Sequence, residues 1–259
     1  MPADSHHPPL TENTSKNTHN VIADLLLNDA AYQRILDIPC GAGAFARRCR
    51  ERGRSVVAAD CENICVDSEV PFVPGNMNEP LPFEDDGFDA VVCIDGIEHI
   101  ERPFDFIEQC GRIVRPGGAI VLSTPNISSL RSRWRWFATG FHYKCRAPLD
   151  ESQPNPLHHI NMLSFPEVRY MLHRSGFAIT RITTNRCKLI SYLYAGLAPF
   201  SYLMTRSVLA AEPDTGQRQR NREILRQLHS RELLFGETMI VMARNEKCAP
   251  GVQVAPRAA

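Results

Sequence analysis

One turn restricts the architecture of this chain more than any other feature. The apolar run Arg34-Ile-Leu-Asp-Ile38 reads as a short strand, and Gly41-Ala-Gly43 follows it and opens a helix that runs to Arg52 and stops near Gly53. Glycines at such a turn take positive φ and let the backbone approach a ligand. A strand that passes through them into a helix is the first half of a parallel α/β unit, and ligands of parallel sheets bind at the carboxyl ends of the strands.

The alternation continues downstream. Ser55-Val-Val-Ala-Ala59 predicts a second strand that closes on Asp60, Phe72-Val73 a weak third and Asp89 to Ile94 a fourth. Pro103 to Val114 predicts a helix with proline in its first turn, Arg115-Pro-Gly-Gly118 a turn, and Ala119 to Ser123 a fifth strand. Strands alternating with helices imply right-handed crossovers and a parallel sheet. Ahead of them, Asn20 to Leu27 predicts a short amphipathic helix. Behind them, Ser164-Phe-Pro-Glu167 has the form of a capping box opening a helix that ends at Gly176. Phe177 to Thr183 and Glu237 to Ala243 predict two last strands.

The 259 residues accommodate one domain. The reading is a disordered tail over 1–17 and a single domain over 18–259: a cofactor-binding core at 31–126, a lid and acceptor region at 127–163, and a C-terminal part at 164–245 with an apolar insertion at 187–211. Lys and Arg together number 29, as do Asp and Glu, so bulk charge gives no support to a DNA partner. Nine cysteines without a CxxC pair, behind a polar start without a secretory stretch, predict no disulfide framework and a cytoplasmic protein, and Cys61 and Cys65 read as ordinary small residues.

The glycine turn alone fits two cofactors, because Gly41-Ala-Gly-Ala-Phe-Ala46 also satisfies the dinucleotide pattern G-x-G-x-x-G/A. Asp37 separates them. A dinucleotide brings a pyrophosphate to this turn, and a nearby carboxylate repels it. S-adenosylmethionine (SAM) brings an ammonium and a sulfonium, which a carboxylate attracts. Asp60, at the end of the second strand, is placed to accept hydrogen bonds from ribose hydroxyls.

The segments ILDIPCGAGAFA, VVAADC, GNMNEPLPFEDDGFDAVVCIDGIEHIERP and GRIVRPGGAIVLSTPN resemble class I SAM-dependent methyltransferases. The subgroup is similar to ubiquinone-biosynthesis O-methyltransferases and glycan-cluster methyltransferases, and the resemblance spans about Arg34 to Asn126. It implies a Rossmann-like α/β fold: a seven-stranded, mostly parallel sheet flanked by helices, a helical lid after strand five and an antiparallel C-terminal strand. It implies that Asp37, Cys40, Gly41 and Gly43 lie against the methionine part of SAM, that Asp60 takes the ribose, that Asn76 and Met77 flank the adenine, and that Asp95 joins the cofactor set. The family more often has aspartate at position 76, where an amide oxygen still accepts from the adenine amine.

Asp95-Gly-Ile-Glu98-His99 follows the fourth strand and faces the reaction chamber. His99 is the candidate general base, with Glu98 and His159 as catalytic partners; a structural role for Glu98 and His99 is the alternative. Asp95, Glu98, His99 and one of the two histidines His158 and His159 also form a possible carboxylate–imidazole metal set, similar to that of small-RNA 2′-O-methyltransferases, but Asp95 stands where those have glutamate and no RNA-binding module is visible. The expected cofactor is therefore SAM without a metal.

Arg131-Ser-Arg-Trp-Arg-Trp136 predicts a lid helix with a basic, aromatic face, and His142, Tyr143 and Lys144 are candidates for the acceptor pocket. Residues 187–211 are apolar but broken by Pro199 and charged at Lys188 and Arg206, a poor membrane span. They predict two short helices that pack on the core, cover the site or lie on a bilayer. The function expected is methyl transfer to a hydroxyl of a small-molecule, glycan or lipid-linked acceptor. An NAD-dependent oxidoreductase and a non-catalytic SAM-binding subunit are the alternatives.

Overall fold

The computed structural model describes residues 10, 12–144, 149–153 and 155–247. The expected tail falls mostly outside them, over residues 1–9 and 11, whereas Glu12 to Asn17 are described. Seven strands form one sheet: β1 (Arg34–Asp37), β2 (Ser55–Asp60), β3 (Phe72–Pro74), β4 (Phe88–Ile94), β5 (Val114–Pro125), β6 (Phe177–Thr184) and β7 (Thr238–Asn245). Their spatial order is β3-β2-β1-β4-β5-β7-β6. The first five run parallel, and β7 runs antiparallel between β5 and β6. This is the sheet expected from the sequence.

Helices α1 (Thr18–Leu26), α2 (Ala44–Glu51), α3 (Pro103–Ile113), α4 (Leu130–Thr139) and α5 (Phe165–Arg174) precede β6, and α6 (Ala198–Ala210), α7 (Thr215–Leu228) and α8 (Arg231–Phe235) follow it. Strand β4 shows why the sheet is a middle layer. Ala90, Val92 and Ile94 enter one core with Ile22, Leu26 and Phe45 of α1 and α2, while Val91 and Cys93 enter the other with Phe106, Phe165 and Leu172 of α3 and α5. A parallel strand buried on both faces reads as a continuous apolar run, as this one does. Helix α5 opens as expected, with the Glu167 carboxylate accepting from the Ser164 N–H at 2.6 Å.

Two local expectations change. The Arg115–Gly118 turn lies inside β5 as a bulge: Phe88 pairs with Val114 but Ala90 pairs with Ala119, so four residues leave the ladder. Gly117 takes φ 75° there, and a Cβ on Gly118 would lie 2.6 Å from the Asp89 carbonyl. The insertion at 187–211 forms a 3₁₀ helix (Leu189–Leu197) and α6, but α6 buries no residue, so it is not packed into the core.

Asn126 ties the end of β5 to the last turn before β7. Its buried side-chain amide donates to the carbonyls of Leu233 and Gly236, each at 3.0 Å, and to that of Glu232 at 3.3 Å. Asn126→Ala strands these carbonyls and is expected to lower stability by about 2 kcal/mol, read as a lower urea midpoint with an unchanged slope.

Candidate functional site

The carboxyl ends of β1, β2 and β4 meet one loop. Gly41 and Gly43 take φ 51° and 83°, and Gly43 caps α2. A Cβ on Gly43 would lie 2.5 Å from the Cys65 sulfur, whereas a Cβ on Gly41 would meet nothing within 4 Å. Gly43 is thus required by packing and Gly41 borders open space. Asp60 fastens the loop: one carboxylate oxygen accepts from the Gly41 N–H at 3.0 Å and the other from the Cys61 N–H at 2.8 Å. Cys40 is buried, and burial with the neighbouring Asp37 carboxyl pushes its thiol up, so it stays neutral.

Asp37 lies beneath this loop, fully buried, and its Oδ2 has no partner among the described residues. Burial raises its pKa to about 8; a backbone hydrogen bond from Ala46 opposes the rise and the Asp60 charge adds to it. A buried oxygen without a donor is costly unless a ligand supplies one. The cationic end of SAM meets that need, so the residues present fit the expected cofactor.

The other expected cofactor residues are placed less directly. Asn76 holds its own turn, accepting from the Asn78 N–H at 3.0 Å and donating to Glu79 at 3.0 Å. The Met77 side chain is packed in the core beside Leu81. Asp95 sits at φ 45°, a strained position for a non-glycine residue, and Ser123 holds it there: the hydroxyl donates to the carboxylate at 2.6 Å and accepts from the Asp95 N–H at 3.0 Å. Gly96 follows because any side chain there would run into the Pro39 ring.

Ile97–His99 form a 3₁₀ turn against residues 158–161. The Glu98 carbonyl accepts from the Asn161 N–H at 3.0 Å, and the His99 ring bonds through Nδ1 to the His158 carbonyl at 3.0 Å. Glu98 is buried with neither carboxylate oxygen hydrogen-bonded among the described residues, and burial, then Asp95, raises its pKa to about 8. Burial lowers that of His99, opposed by the His158 carbonyl and by Asp95. The rings of His99 and His159 meet edge to face at 4.8 Å. Potential ligand atoms of Glu98, His99 and His159 lie within 4.8 Å of one another. Of the two histidines the sequence left open, His159 brings its ring into this group, because His158 is drawn in through its carbonyl; Asp95 is not part of it.

These groups line a cavity of about 430 Å³. Asn13 to Lys16 form one wall, Lys144 and Arg186 another, and Asp95, Glu98, His99 and His159 its floor. The sequence reading anticipated Lys144 but missed Arg186, Glu237 and the wall from residues 13–16. Buried Glu237 binds three cations: Lys144 Nζ at 2.9 Å, Arg186 Nε at 2.6 Å and Lys188 Nζ at 2.7 Å. Burial alone would raise its pKa, but hydrogen bonds from Lys188, Arg186 and Lys144 prevail and hold it at about 2. The sequence did carry a signal for Glu237. It precedes an antiparallel strand, so it lies at the edge where the parallel strands end.

A family model described as a methyltransferase domain matches residues 12–182. Among curated proteins, the chain is 31% identical over 104 residues to a ubiquinone biosynthesis O-methyltransferase of Alkalilimnicola ehrlichii, covering 36% of this chain and 42% of the relative. It is 34% identical over 113 residues to a demethylmenaquinone methyltransferase of Clavibacter sepedonicus, covering 39% and 46%. It is 28% identical over 167 residues to a probable S-adenosylmethionine-dependent methyltransferase of Mycolicibacterium smegmatis, covering 62% and 58%. The chain thus spans about half the length of the curated relatives it matches. Among solved structures, a SAM-dependent methyltransferase from Archaeoglobus fulgidus superposes with a TM-score of 0.53 at 21% identity, covering 88% of this chain and 94% of that one. One from Bacillus halodurans, titled a methyltransferase of unproven activity, gives 0.54 at 15%, covering 89% and 99%. These two confirm the fold.

Folding raises the pKa of Asp37, so the folded chain holds its proton more tightly than the unfolded one. The stability this group contributes is complete below the unfolded value of 3.8 and is lost as pH rises towards 8. Unliganded protein is expected to lose stability to urea across that window, and Asp37→Asn to remove part of the slope.

Proposed function

We propose, from the premise that this chain belongs to the methyltransferase-domain family, that it transfers a methyl group from SAM to a hydroxyl oxygen of a small-molecule, glycan or lipid-linked acceptor. The observation that carries the cofactor assignment is the buried Asp37 oxygen without a partner, beneath the open space at Gly41. When bound, SAM supplies a methyl group on a sulfonium, an electrophile with an excellent leaving group. What remains for the protein is to bind, orient, exclude water and take a proton.

Asp37 receives the ammonium of the amino-acid end, which returns the carboxyl to its ionised form. Asp60 uses one lone pair on each oxygen for the loop and keeps others for ribose hydroxyls. The backbone around Asn76 and Met77 would border the adenine, and Asp95 forms part of the cavity floor.

The oxygen assignment rests on the name of the ubiquinone-biosynthesis relative and on the base available. His99 Nδ1 faces a carbonyl, which only accepts, so Nδ1 carries the proton and Nε2 keeps its lone pair. Burial favours the neutral ring. His99 Nε2 takes the acceptor's hydroxyl proton as the oxygen attacks. Glu98, held protonated by burial, lies beside the ring, and the His159 ring meets it edge to face. We assign these three groups to proton handling, and exhaustive chelation is expected to leave turnover unchanged.

Calorimetry tests the cofactor. The chain is expected to bind SAM and not NAD. Asp37→Asn should weaken SAM by about tenfold or more, the scale of one lost charge-assisted hydrogen bond. Gly41→Ala meets no protein atom within 4 Å but strains a φ of 51°, so it should keep the fold at a cost of about 1 kcal/mol and lose affinity. Undiminished affinity in both variants would overturn the assignment.

Labelled SAM with fractionated cell extract tests the chemistry, and the expected product is a methyl ether. On that acceptor, His99→Gln is expected to lower kcat by about a hundredfold or more with SAM affinity unchanged. An N-methyl or C-methyl product would overturn the oxygen reading alone.

A further inference from the structure

Helix α6 is built inside out. Phe200, Leu203, Met204 and Val208 recur at the spacing of one helix face, and that face is the exposed one: Phe200 is 66%, Leu203 61% and Val208 70% exposed. The half-buried side carries Ser201 and Thr205 together with Ala198 and Leu209. The Ser201 hydroxyl accepts from half-buried Arg133 of α4 at 2.7 Å and lies 3.5 Å from His229 Nε2. A helix that faces only water has the opposite arrangement, with its apolar stripe towards the core.

The neighbouring elements extend the same surface. In the 3₁₀ helix Leu189, Ile190 and Leu193 are exposed, and in α4 so are Trp134, Trp136 and Phe137, the last at 78%. Between Trp134 and Leu193 to Leu197 lies an apolar recess of about 270 Å³. Contiguous apolar patches beyond a few hundred Å² are rare on freely soluble monomers and mark a binding face. Among the described residues no helix is long and apolar enough to cross a membrane.

Charge identifies what covers this face. The whole chain balances its acids and bases, yet residues 127–149 and 187–211 contain no acid at all. On the helices that build this face the cations besides Arg133 are Arg131 and Arg135 of α4 and Arg206 of α6, while Lys144 and Lys188 are drawn to Glu237. A second copy of the chain on this face would bring cations against cations. An anionic lipid surface supplies both an apolar interior and the opposite charge.

We propose that the face built from α4, Leu189–Leu197 and α6 docks on an anionic bilayer, lying in its plane with Phe200, Leu203, Met204 and Val208 among the acyl chains. The docked face begins where the cavity wall ends, because Lys188, which precedes the 3₁₀ helix, binds Glu237 beside Lys144 and Arg186. This proposal does not depend on the methyl-transfer reading.

Sedimentation of the full chain with vesicles tests it. Binding is expected to vesicles of equal phosphatidylglycerol and phosphatidylcholine, and to fall by about tenfold or more on phosphatidylcholine alone or at high salt. The chain's two tryptophans, Trp134 and Trp136, both lie on this face, so their emission should shift to the blue and be quenched by brominated lipid chains. The double variant Leu203→Asp, Val208→Asp changes exposed positions only. It should keep the wild-type circular dichroism and lose about tenfold or more in vesicle binding. Three results would each overturn the proposal: no binding to either vesicle, binding untouched by the double variant, or a dimer in analytical ultracentrifugation that the variant abolishes while vesicles stay unbound.

Discussion

A strand buried on both faces can present polar chemistry only at its ends, and β1 ends on a carboxylate. Asp37 is the pivot of the molecule because it is placed where the core stops and the open space at Gly41 begins. The surrounding backbone is arranged to keep that boundary. Gly43 turns the chain away over Cys65, Asp60 pins the Gly41 amide, and Gly96 leaves room for Pro39. The loop is therefore rigid on its protein side and unfilled on the other, which is the form of a site organised before its ligand arrives.

The opposite wall is held by a different kind of force. Glu237 draws Lys144 from the lid side and Arg186 and Lys188 from the segment after β6 onto one buried carboxylate. Three cations around one anion leave positive charge in excess, half-exposed, above a floor on which Glu98 is kept neutral by burial. An ion cluster of this shape serves poorly as a simple stabiliser, since its charges do not cancel. It does fix where three separate segments meet, and it sets the sign of the potential at the cavity wall.

How much of this was readable beforehand follows from what each residue depends on. Asp37, Gly41, Gly43 and Asp60 belong to local geometry, the end of a strand and the turn after it, so spacing in the chain was enough to place them at the ends of β1 and β2 and in the turn into α2. The same holds for the seven strands and for the Ser164 capping box. His159 and His158 could not be told apart, because which of two adjacent side chains turns inward depends on the hydrogen bond between the His99 ring and the His158 carbonyl, 59 residues away in the chain. The Pro-Gly-Gly segment was read as a turn because its residues favour turns; only the register against β4 reveals a bulge. Arg186 was missed because its role exists only beside Glu237, and nothing local marks either residue as half of a pair. The 187–211 segment was recognised as apolar and helical, but apolar content does not say which way a helix faces.

The direction in which α6 faces has a calorimetric consequence. Heat capacity rises on unfolding because apolar groups that were dry become hydrated. The outward side chains of α6 and of Leu189–Leu197 are wet already in the folded chain, so melting adds little hydration there. In water the stability curve of this protein should therefore bend like that of a smaller one, and the missing curvature measures apolar surface that folding has left for another phase to cover.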